Sequence, residues 1–219
     1  MIRSYLKVAV TTLILATSAM IYAQDALPND SAWSAGVDLM RLIDPAKDRL
    51  EGQWSKQEAK LITAGDSARS KLQIPFHPPK EYDFRTVFTR ASNTALVIQI
   101  FSQSEHVGMW LMENGYLGFA MVNGQSANSN PTTVANPGGK ETSGRHTSIL
   151  QVRRRSIKAY LDGKLVNQMK TDYSNLSLHS AWEIPNHRCL GLATVGPATF
   201  EKIDLIEVMG KGSATTRRK

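Results

Sequence analysis

Alternating apolar and polar positions dominate the middle of this chain and predict β-strands. The clearest case is Glu81–Arg90, in which Tyr82, Phe84 and Phe88 fall on one face and Arg85 falls on the other. Side chains alternate across a strand with a period of two, so the pattern predicts a strand with one buried face.

Short turns separate such segments and predict antiparallel hairpins. The dipeptides Asn114-Gly115, Asn123-Gly124 and Asp162-Gly163 tolerate positive φ, which two-residue hairpin turns require. Further strands are predicted at residues 71–74, 95–101, 107–112, 117–121, 146–153, 157–161, 164–168, 189–194 and 199–209. Many short strands, with helix expected only within residues 36–52, predict an all-β antiparallel sandwich or barrel.

Two segments are expected to connect strands rather than to pair. Residues 76–79 read Phe-His-Pro-Pro and predict a rigid connection, because proline has no backbone N–H to donate. Residues 125–144 are rich in Ser, Asn, Thr, Pro and Gly. This stretch is too long for a simple hairpin connection, so we interpret it as either a functional or a mobile loop.

The first 23 residues predict a secretory signal peptide. Arg3 and Lys7 precede an apolar stretch at residues 8–21, and Ala23 provides a small residue before the expected cleavage. An uncleaved N-terminal anchor is the alternative. No later stretch of the sequence is long and apolar enough to predict a membrane-spanning helix.

Past the signal, we expect a spacer with short helices at 24–52, a β-sandwich at 53–210 and a basic disordered tail at 211–219. The formal net charge is +7. Two of the positive charges lie in the signal and four in the tail, so the body between them carries a net charge near +1. The high isoelectric point is therefore weak evidence for nucleic-acid binding.

Several motifs resemble a group of exported proteins from planctomycete-type bacteria. They are VDLMRLIDPAKD at 37–48 with GQW at 52–54, IPF at 74–76 with PPKEYDF at 78–84, VR at 152–153 with LDGK at 161–164, and residues 203–210. These proteins are similar to concanavalin A-like lectin/glucanase jelly rolls, and distantly to the 3-keto-disaccharide hydrolase domain. The resemblance covers residues 37–210 and implies two packed sheets, one of them concave, with carbohydrate as the ligand class.

The carboxylates do not follow the pattern of a catalytic pair. Retaining glucanases of this fold need carboxylates two residues apart on a strand and about 5 Å apart in space. Glu201, Asp204 and Glu207 are three apart, so a regular strand directs Asp204 away from Glu201. Five scattered histidines and the single Cys189 do not predict a metal site, and no cofactor is expected.

Sugar binding needs flat aromatic faces and hydrogen-bonding side chains. The best candidate is Trp110, and Arg85 and Gln99 are expected on neighbouring strands of the same sheet. The predicted ligand-binding residues are Arg85, Gln99, Trp110, Asn123, Asn128, Trp182 and His187. The alternative for these residues is structural: Trp110 covers the second face of its strand, and the asparagines only form turns.

The sequence therefore favours an exported, secreted or periplasmic, non-catalytic carbohydrate-binding domain. The alternatives are a glycoside hydrolase related to the 3-keto-disaccharide hydrolases and a protein-interaction module of the cell envelope. The expected partner is carbohydrate, including a sulfated glycan, with no nucleic acid and no transmembrane span after signal cleavage. We interpret Arg153, Arg154 and Arg155 as a hairpin end rather than one basic patch, because alternate strand residues face opposite ways.

Overall fold

The computed structural model describes residues 26–64, 69–91, 96–136 and 144–215. Its strands are β1 Val37–Asp38, β2 Arg49–Glu51, β3 Gln53–Gln57, β4 Lys60–Ala64, β5 Arg69–Ile74, β6 Phe76–His77, β7 Glu81–Arg90, β8 Leu96–Gln103, β9 His106–Glu113, β10 Tyr116–Ala120, β11 Val134–Ala135, β12 Gly144–Arg153, β13 Ser156–Leu161, β14 Lys164–Lys170, β15 Leu190–Val195, β16 Ala198–Met209 and β17 Ser213–Ala214. Two short α-helices, α1 Asp30–Ser34 and α2 Pro45–Asp48, and two 3-10 turns, Leu39–Arg41 and Ser180–Trp182, accompany them.

Two large antiparallel sheets form the sandwich, and β6 and β17 pair in a separate two-stranded sheet. The eight-stranded sheet has the order β14-β13-β12-β7-β16-β4-β3, and β1 pairs with β16 beside this path. The seven-stranded sheet has the order β11-β10-β9-β8-β15-β5-β2. The prediction of an all-β antiparallel sandwich with a short N-terminal helical segment is confirmed.

An apolar interior joins the sheets. Phe84 and Phe88 of β7 belong to one buried cluster with Leu72 and Phe101 of the seven-stranded sheet, as the alternation in β7 predicted. A polar link crosses the same interior: the Tyr82 hydroxyl donates to the carbonyl of Ser102 at 2.5 Å and accepts from its N–H at 3.1 Å. Pairing of this kind satisfies peptide groups that burial would otherwise leave without partners.

Consecutive strands do not always share a sheet. We expected β7 and β8 to be neighbours, but β7 lies in the eight-stranded sheet and β8 in the seven-stranded sheet. Gln99 of β8 therefore reaches across the interior, where its amide accepts a hydrogen bond from the Ser148 hydroxyl at 2.6 Å. The expectation that Arg85 and Gln99 lie on adjacent strands is wrong for this reason.

Both ends of the sandwich extend beyond the expected bounds. Strands β1 and β2 pair with β16 and β5, so paired structure begins at Val37 rather than at residue 53. At the other end, Ser213–Ala214 pairs with Phe76–His77. Residues 76–79 were expected not to pair, but only the two prolines lack donors. The expected disordered tail is thus ordered as far as residue 215, and residues 216–219 lie outside the described residues.

Two of the predicted turns, Asn114-Gly115 and Asp162-Gly163, connect paired strands, and Asn123-Gly124 turns within the β10–β11 loop between the bridged residues Val122 and Gln125. Asp162 and Gly163 have φ of 49° and 79°, and Asn123 and Gly124 have 52° and 76°, as mirror-image turns require. The connection at Asn114-Gly115 is present without positive φ at either residue.

In the part of the chain that the structure describes, no helix is long and apolar enough to span a membrane.

Candidate functional site

The outer face of the seven-stranded sheet, which points away from the other sheet, is apolar and partly covered. The loop between β14 and β15 crosses this face. Leu178, Trp182 and Ile184 of that loop pack against sheet residues in one buried cluster. The sheet residues in this cluster are Leu96, Ile98, Ile100, Val107, Met109, Leu111, Ala120 and Ala193. Both faces of the central strands are therefore buried.

Hydrogen bonds hold the crossing loop in place. The His179 Nδ1 accepts from the N–H of Ala181 at 3.1 Å and caps the 3-10 turn that carries Trp182. The Lys71 ammonium donates to the carbonyl of Ala181 at 3.3 Å. Because Nδ1 accepts this bond, the neutral His179 ring carries its proton on Nε2 and can donate it outward.

A second loop, between β10 and β11, borders the same face. The Asn130 amide donates to the carbonyls of Phe119 at 2.8 Å and Ser126 at 2.9 Å, and its oxygen accepts from the N–H of Thr132 at 2.8 Å. A Cβ at Gly118 would lie 2.9 Å from the carbonyl oxygen of Ala127. The absence of a side chain at Gly118 thus allows this loop to pack directly on the sheet.

Between the two loops lies a cleft of about 190 Å³, which we call the aromatic cleft. It is lined by Leu96, Met109, Leu111, Glu113, Tyr116, Ala120, Met121, Ser126, Ala127, His179 and Trp182. Tyr116 and Trp182 give it aromatic surface, while Glu113, Ser126 and His179 add hydrogen-bonding groups. Such a combination of apolar walls with a few polar groups is typical of small-ligand sites.

The polar side of the aromatic cleft centres on Glu113. Burial, a hydrogen bond with Glu113 and the charge of that carboxylate together raise the pKa of Tyr116 above its usual range. The Tyr116 hydroxyl donates a hydrogen bond to the Glu113 carboxylate, and the remaining lone pairs of that carboxylate can accept from a ligand. Arg90 is close enough to Glu113 to interact with its charge, and it also hydrogen-bonds the Asn114 side chain on the same hairpin.

Two predicted ligand-binding residues lie in the interior and are inaccessible to a ligand. Trp110 and Gln99 are both 0% exposed, because their side chains point between the sheets. Trp110 packs on Phe119 with ring centroids 5.0 Å apart. A buried indole cannot stack on a sugar ring, so Trp110 is a packing residue of the interior, and neither Trp110 nor Gln99 belongs to the site.

Arg85 is also engaged elsewhere, on the outer face of the eight-stranded sheet. Its guanidinium binds one carboxylate oxygen of Asp204 through Nε at 3.0 Å and Nη2 at 2.5 Å. The Trp33 ring of α1 covers it, with the guanidinium carbon 4.3 Å from the ring centroid. This ion pair gives Arg85 a structural role, far from the aromatic cleft on the opposite sheet.

The remaining predicted residues lie in the two loops. Trp182 lines the aromatic cleft and is 8% exposed. Asn128 is exposed and follows the lining residue Ala127, and Asn123 is exposed at the start of the same loop, where its N–H donates to Asn175. His187 is exposed and bonds Glu183, outside the residues that line the cleft. Contact of these four side chains with a ligand stays a prediction.

The carboxylates of β16 have a geometry that regular alternation did not predict. The register with β7 shifts between Phe200 and Lys202, so Glu201 is an extra residue in the strand. This bulge places Glu201 on the same outer face as Asp204. Glu201 binds the Arg145 guanidinium at 2.9 Å, and although partial burial raises its pKa, the Arg145 hydrogen bond and charge bring that pKa below its usual value. The two carboxylates are thus held by separate arginines.

Tyr116, Glu113 and His179 were missed by the sequence analysis. Tyr116 alternates with the core residues Leu117 and Phe119, so it shares a face with Gly118 and Ala120. The small side chain of Ala120 beside the Tyr116 ring leaves space at the cleft, whereas Gly118 is covered by the β10–β11 loop.

The comparison with solved structures identifies the class of fold. A proposed glycosyl hydrolase from Parabacteroides distasonis matches with a TM-score of 0.52 and 9% identity, over 84% of this chain and 99% of that one. The exoplasmic/lumenal domain of VIP36, solved with Ca²⁺ and Man3GlcNAc, matches with a TM-score of 0.50 and 12% identity, over 78% of this chain and 89% of that one. The chain is therefore an all-β, concanavalin A-like jelly-roll sandwich.

The sequence comparisons add no family to this fold. No model of a known protein family matches the chain, and a comparison with curated proteins finds no match. The resemblance to exported planctomycete-type proteins and to the 3-keto-disaccharide hydrolases stays a prediction.

Proposed function

We propose that this protein is exported and binds carbohydrate through the aromatic cleft without hydrolysing it. The observation that carries the proposal is the pairing of Tyr116 and Trp182 with Glu113, Ser126 and His179 around one small opening. Aromatic faces can pack on the C–H groups of a sugar ring, and the carboxylate, hydroxyl and imidazole can bond its hydroxyls. Tyr116 is the more exposed of the two rings and supplies more of the contact surface.

The size of the cleft limits the part of a ligand that can enter it. Its volume of about 190 Å³ is below the roughly 300–1,000 Å³ that is typical of pockets for drug-sized ligands. We therefore propose that one sugar residue, such as the end of a glycan chain, enters the cleft.

Binding without hydrolysis is supported by the carboxylates at the cleft. Glycosidases use two carboxyl groups, roughly 5–5.5 Å apart in retaining enzymes and 6.5–9.5 Å apart in inverting ones. Glu113 is the single carboxylate among the described lining residues, and it bonds Tyr116. The fold does not choose between binding and hydrolysis, since one structural neighbour is described with a bound glycan and the other as a proposed glycosyl hydrolase.

Export rests on the sequence alone. Residues 1–23 have the basic start, apolar centre and small residue of a cleaved signal, and they lie outside the described residues. We propose that the mature chain begins at Gln24 and acts in the periplasm or outside the cell.

A glycan array probed with the protein recovered from the periplasm or medium of expressing cells tests the proposal. We expect binding to at least one neutral glycan, with affinity reduced about tenfold by Tyr116→Ala, because stacking and a hydroxyl contact are both lost. The control is Lys164→Ala, which removes an exposed side chain of β14 in the eight-stranded sheet and should leave affinity unchanged.

Three results would contradict this proposal. Release of sugar from a bound glycan would show catalysis. Equal affinity of Tyr116→Ala and the unaltered protein would remove the aromatic cleft as the site. Retention of the full chain inside the cell, with residues 1–23 intact, would disprove export.

A further inference from the structure

A second concave region lies at the other end of the seven-stranded sheet. Leu96 begins β8 and lines the aromatic cleft, whereas Ser104 directly follows β8 and lines a cleft of about 520 Å³. The two positions are eight residue steps apart, which is roughly 25 Å of extended chain. A neighbouring cleft of about 490 Å³ shares His77 and Arg188 with it. We call the two together the basic groove.

Three cationic side chains of the basic groove are available to a ligand. Lys80 and Arg154 are exposed and make no ion pair within the described part of the chain. The Arg188 guanidinium is 57% exposed and lies 3.5 Å from Glu105, which is itself 76% exposed. Solvated pairs of this kind hold their partners weakly, so Glu105 can be displaced from Arg188.

The other acidic side chains near the groove are engaged within the protein. Glu81 accepts from the backbone N–H of Arg154 at 3.0 Å and offsets part of the positive charge there. Asp48 is buried, and its carboxylate accepts from the N–H of Asp44 at 2.7 Å. Glu207 lies outside the lining and binds Lys211 at 2.6 Å. Burial, and then the nearby Arg188 charge, lower the pKa of His77, against a smaller opposing effect of Glu105.

The groove has ordered walls. The segment after β16 returns along β6, and a Cβ at Gly212 would lie 2.3 Å from the Phe76 ring, so the backbone packs closely there. On the facing side, the Asn186 side chain lies 3.1 Å from His77 Nε2. Pro78 and Pro79 add rigid apolar surface to the lining. The part of the tail that we expected to be disordered thus closes one side of the groove.

We propose that the basic groove binds an anionic glycan, with Arg154 and Arg188 holding its sulfate or carboxylate groups. A guanidinium presents parallel N–H donors that match these oxyanions. The described lining residues include no Trp, Tyr or Phe on which nucleic-acid bases could stack, which favours a glycan over a single-stranded nucleic acid. The inference rests on the proposed function only for the carbohydrate nature of the ligand, since the groove and the aromatic cleft share no residue.

The test measures binding of three oligosaccharides of equal length by calorimetry: a heparin fragment, an oligogalacturonate and neutral chito-oligosaccharide. We expect at least one anionic probe to bind, and to bind more weakly as salt is raised. Arg154→Ala/Arg188→Ala should weaken that binding tenfold or more. Lys60→Ala/Lys202→Ala removes two exposed charges elsewhere and should change it less than twofold. Arg154→Lys/Arg188→Lys should give an intermediate loss, because charge remains without the paired donors.

The outcomes separate the two sites. Binding of a heparin fragment alone names sulfate as the recognised group, and binding of oligogalacturonate alone names carboxylate. Failure of both anionic probes overturns the inference, as does an equal loss in the two alanine double variants or equally tight binding of single-stranded DNA of the same charge. Tyr116→Ala should leave anionic binding intact, so loss of neutral-sugar binding by that variant tests the aromatic cleft independently.

Discussion

Replacing Arg85 with alanine is expected to lower the free energy of unfolding by about 3–5 kcal/mol, because it leaves the Asp204 carboxylate buried without its partner. The two side chains are only 14% and 10% exposed, and Trp33 lies over the guanidinium. Urea denaturation followed by tryptophan fluorescence measures the loss directly.

Arg69→Ala is the matched control for Arg85→Ala. Arg69 also approaches a carboxylate through Nε, at 3.2 Å from Glu51, but these side chains are 50% and 36% exposed. Solvent screening limits such a pair to about 0–1 kcal/mol, so this variant should unfold almost like the original protein. If Arg85→Ala instead kept its stability and lost glycan binding, Arg85 would be the ligand residue that the sequence suggested.

Trp110→Ala is the second change with a large expected effect, again about 3–5 kcal/mol of unfolding free energy. The indole is fully buried and packs on Phe119, so truncation leaves a cavity in the interior. Its Nε1 has no hydrogen-bond partner among the described residues. Trp110→Phe should therefore lose much less stability, because it keeps most of the packing and removes an unpaired buried donor.

Glycan affinity separates the two roles of Trp110. Under conditions in which both variants are folded, Trp110→Phe should bind glycans as the original protein does. A variant that unfolds normally but no longer binds would place the indole at a ligand, contrary to its position between the sheets.

The misassignment of Trp110 has a physical cause. Alternation identifies the faces of a strand, and in β7 it correctly placed Tyr82 and Phe84 in the interior, since the other face is polar. In β9 both faces are apolar, because the crossing loop buries Met109 and Leu111 on the outer side. Alternation alone cannot decide which apolar face meets the second sheet, and the loop that decides it is some 70 residues away in the sequence.

The assignment of strands to the two sheets could not be predicted from the sequence for a related reason. The dipeptides Asn114-Gly115 and Asp162-Gly163 predicted their hairpins correctly, because a two-residue turn fixes which strands pair. Asn123-Gly124 turns within the β10–β11 loop and joins no pair of strands. The step from β7 to β8 crosses from one sheet to the other, and neither strand carries a local mark of that change. The bulge at Glu201 is defined by the pairing register between β16 and β7, so the sequence of β16 alone does not predict it.

The candidate site was predictable only in part. Trp182 was predicted in a loop, and it does line the aromatic cleft. A large apolar indole in a loop is shielded from water by packing on the sheet beneath it. The cleft forms where the β14–β15 loop and the β10–β11 loop meet over the seven-stranded sheet. The identity of its other lining residues therefore depends on tertiary contacts. The basic groove likewise brings together residues that lie far apart in the sequence, from 47 to 215.

The most direct test of carbohydrate binding at the aromatic cleft is an NMR titration of the ¹⁵N-labelled protein with a panel of methyl glycosides. The indole N–H signals of Trp182 and Trp110 are assigned by substitution. We predict that at least one glycoside shifts the Trp182 indole and the Ser126 amide while the Trp110 indole stays in place. Shifts concentrated around Trp33 and Arg85, or the absence of any shift with the whole panel, would contradict the account.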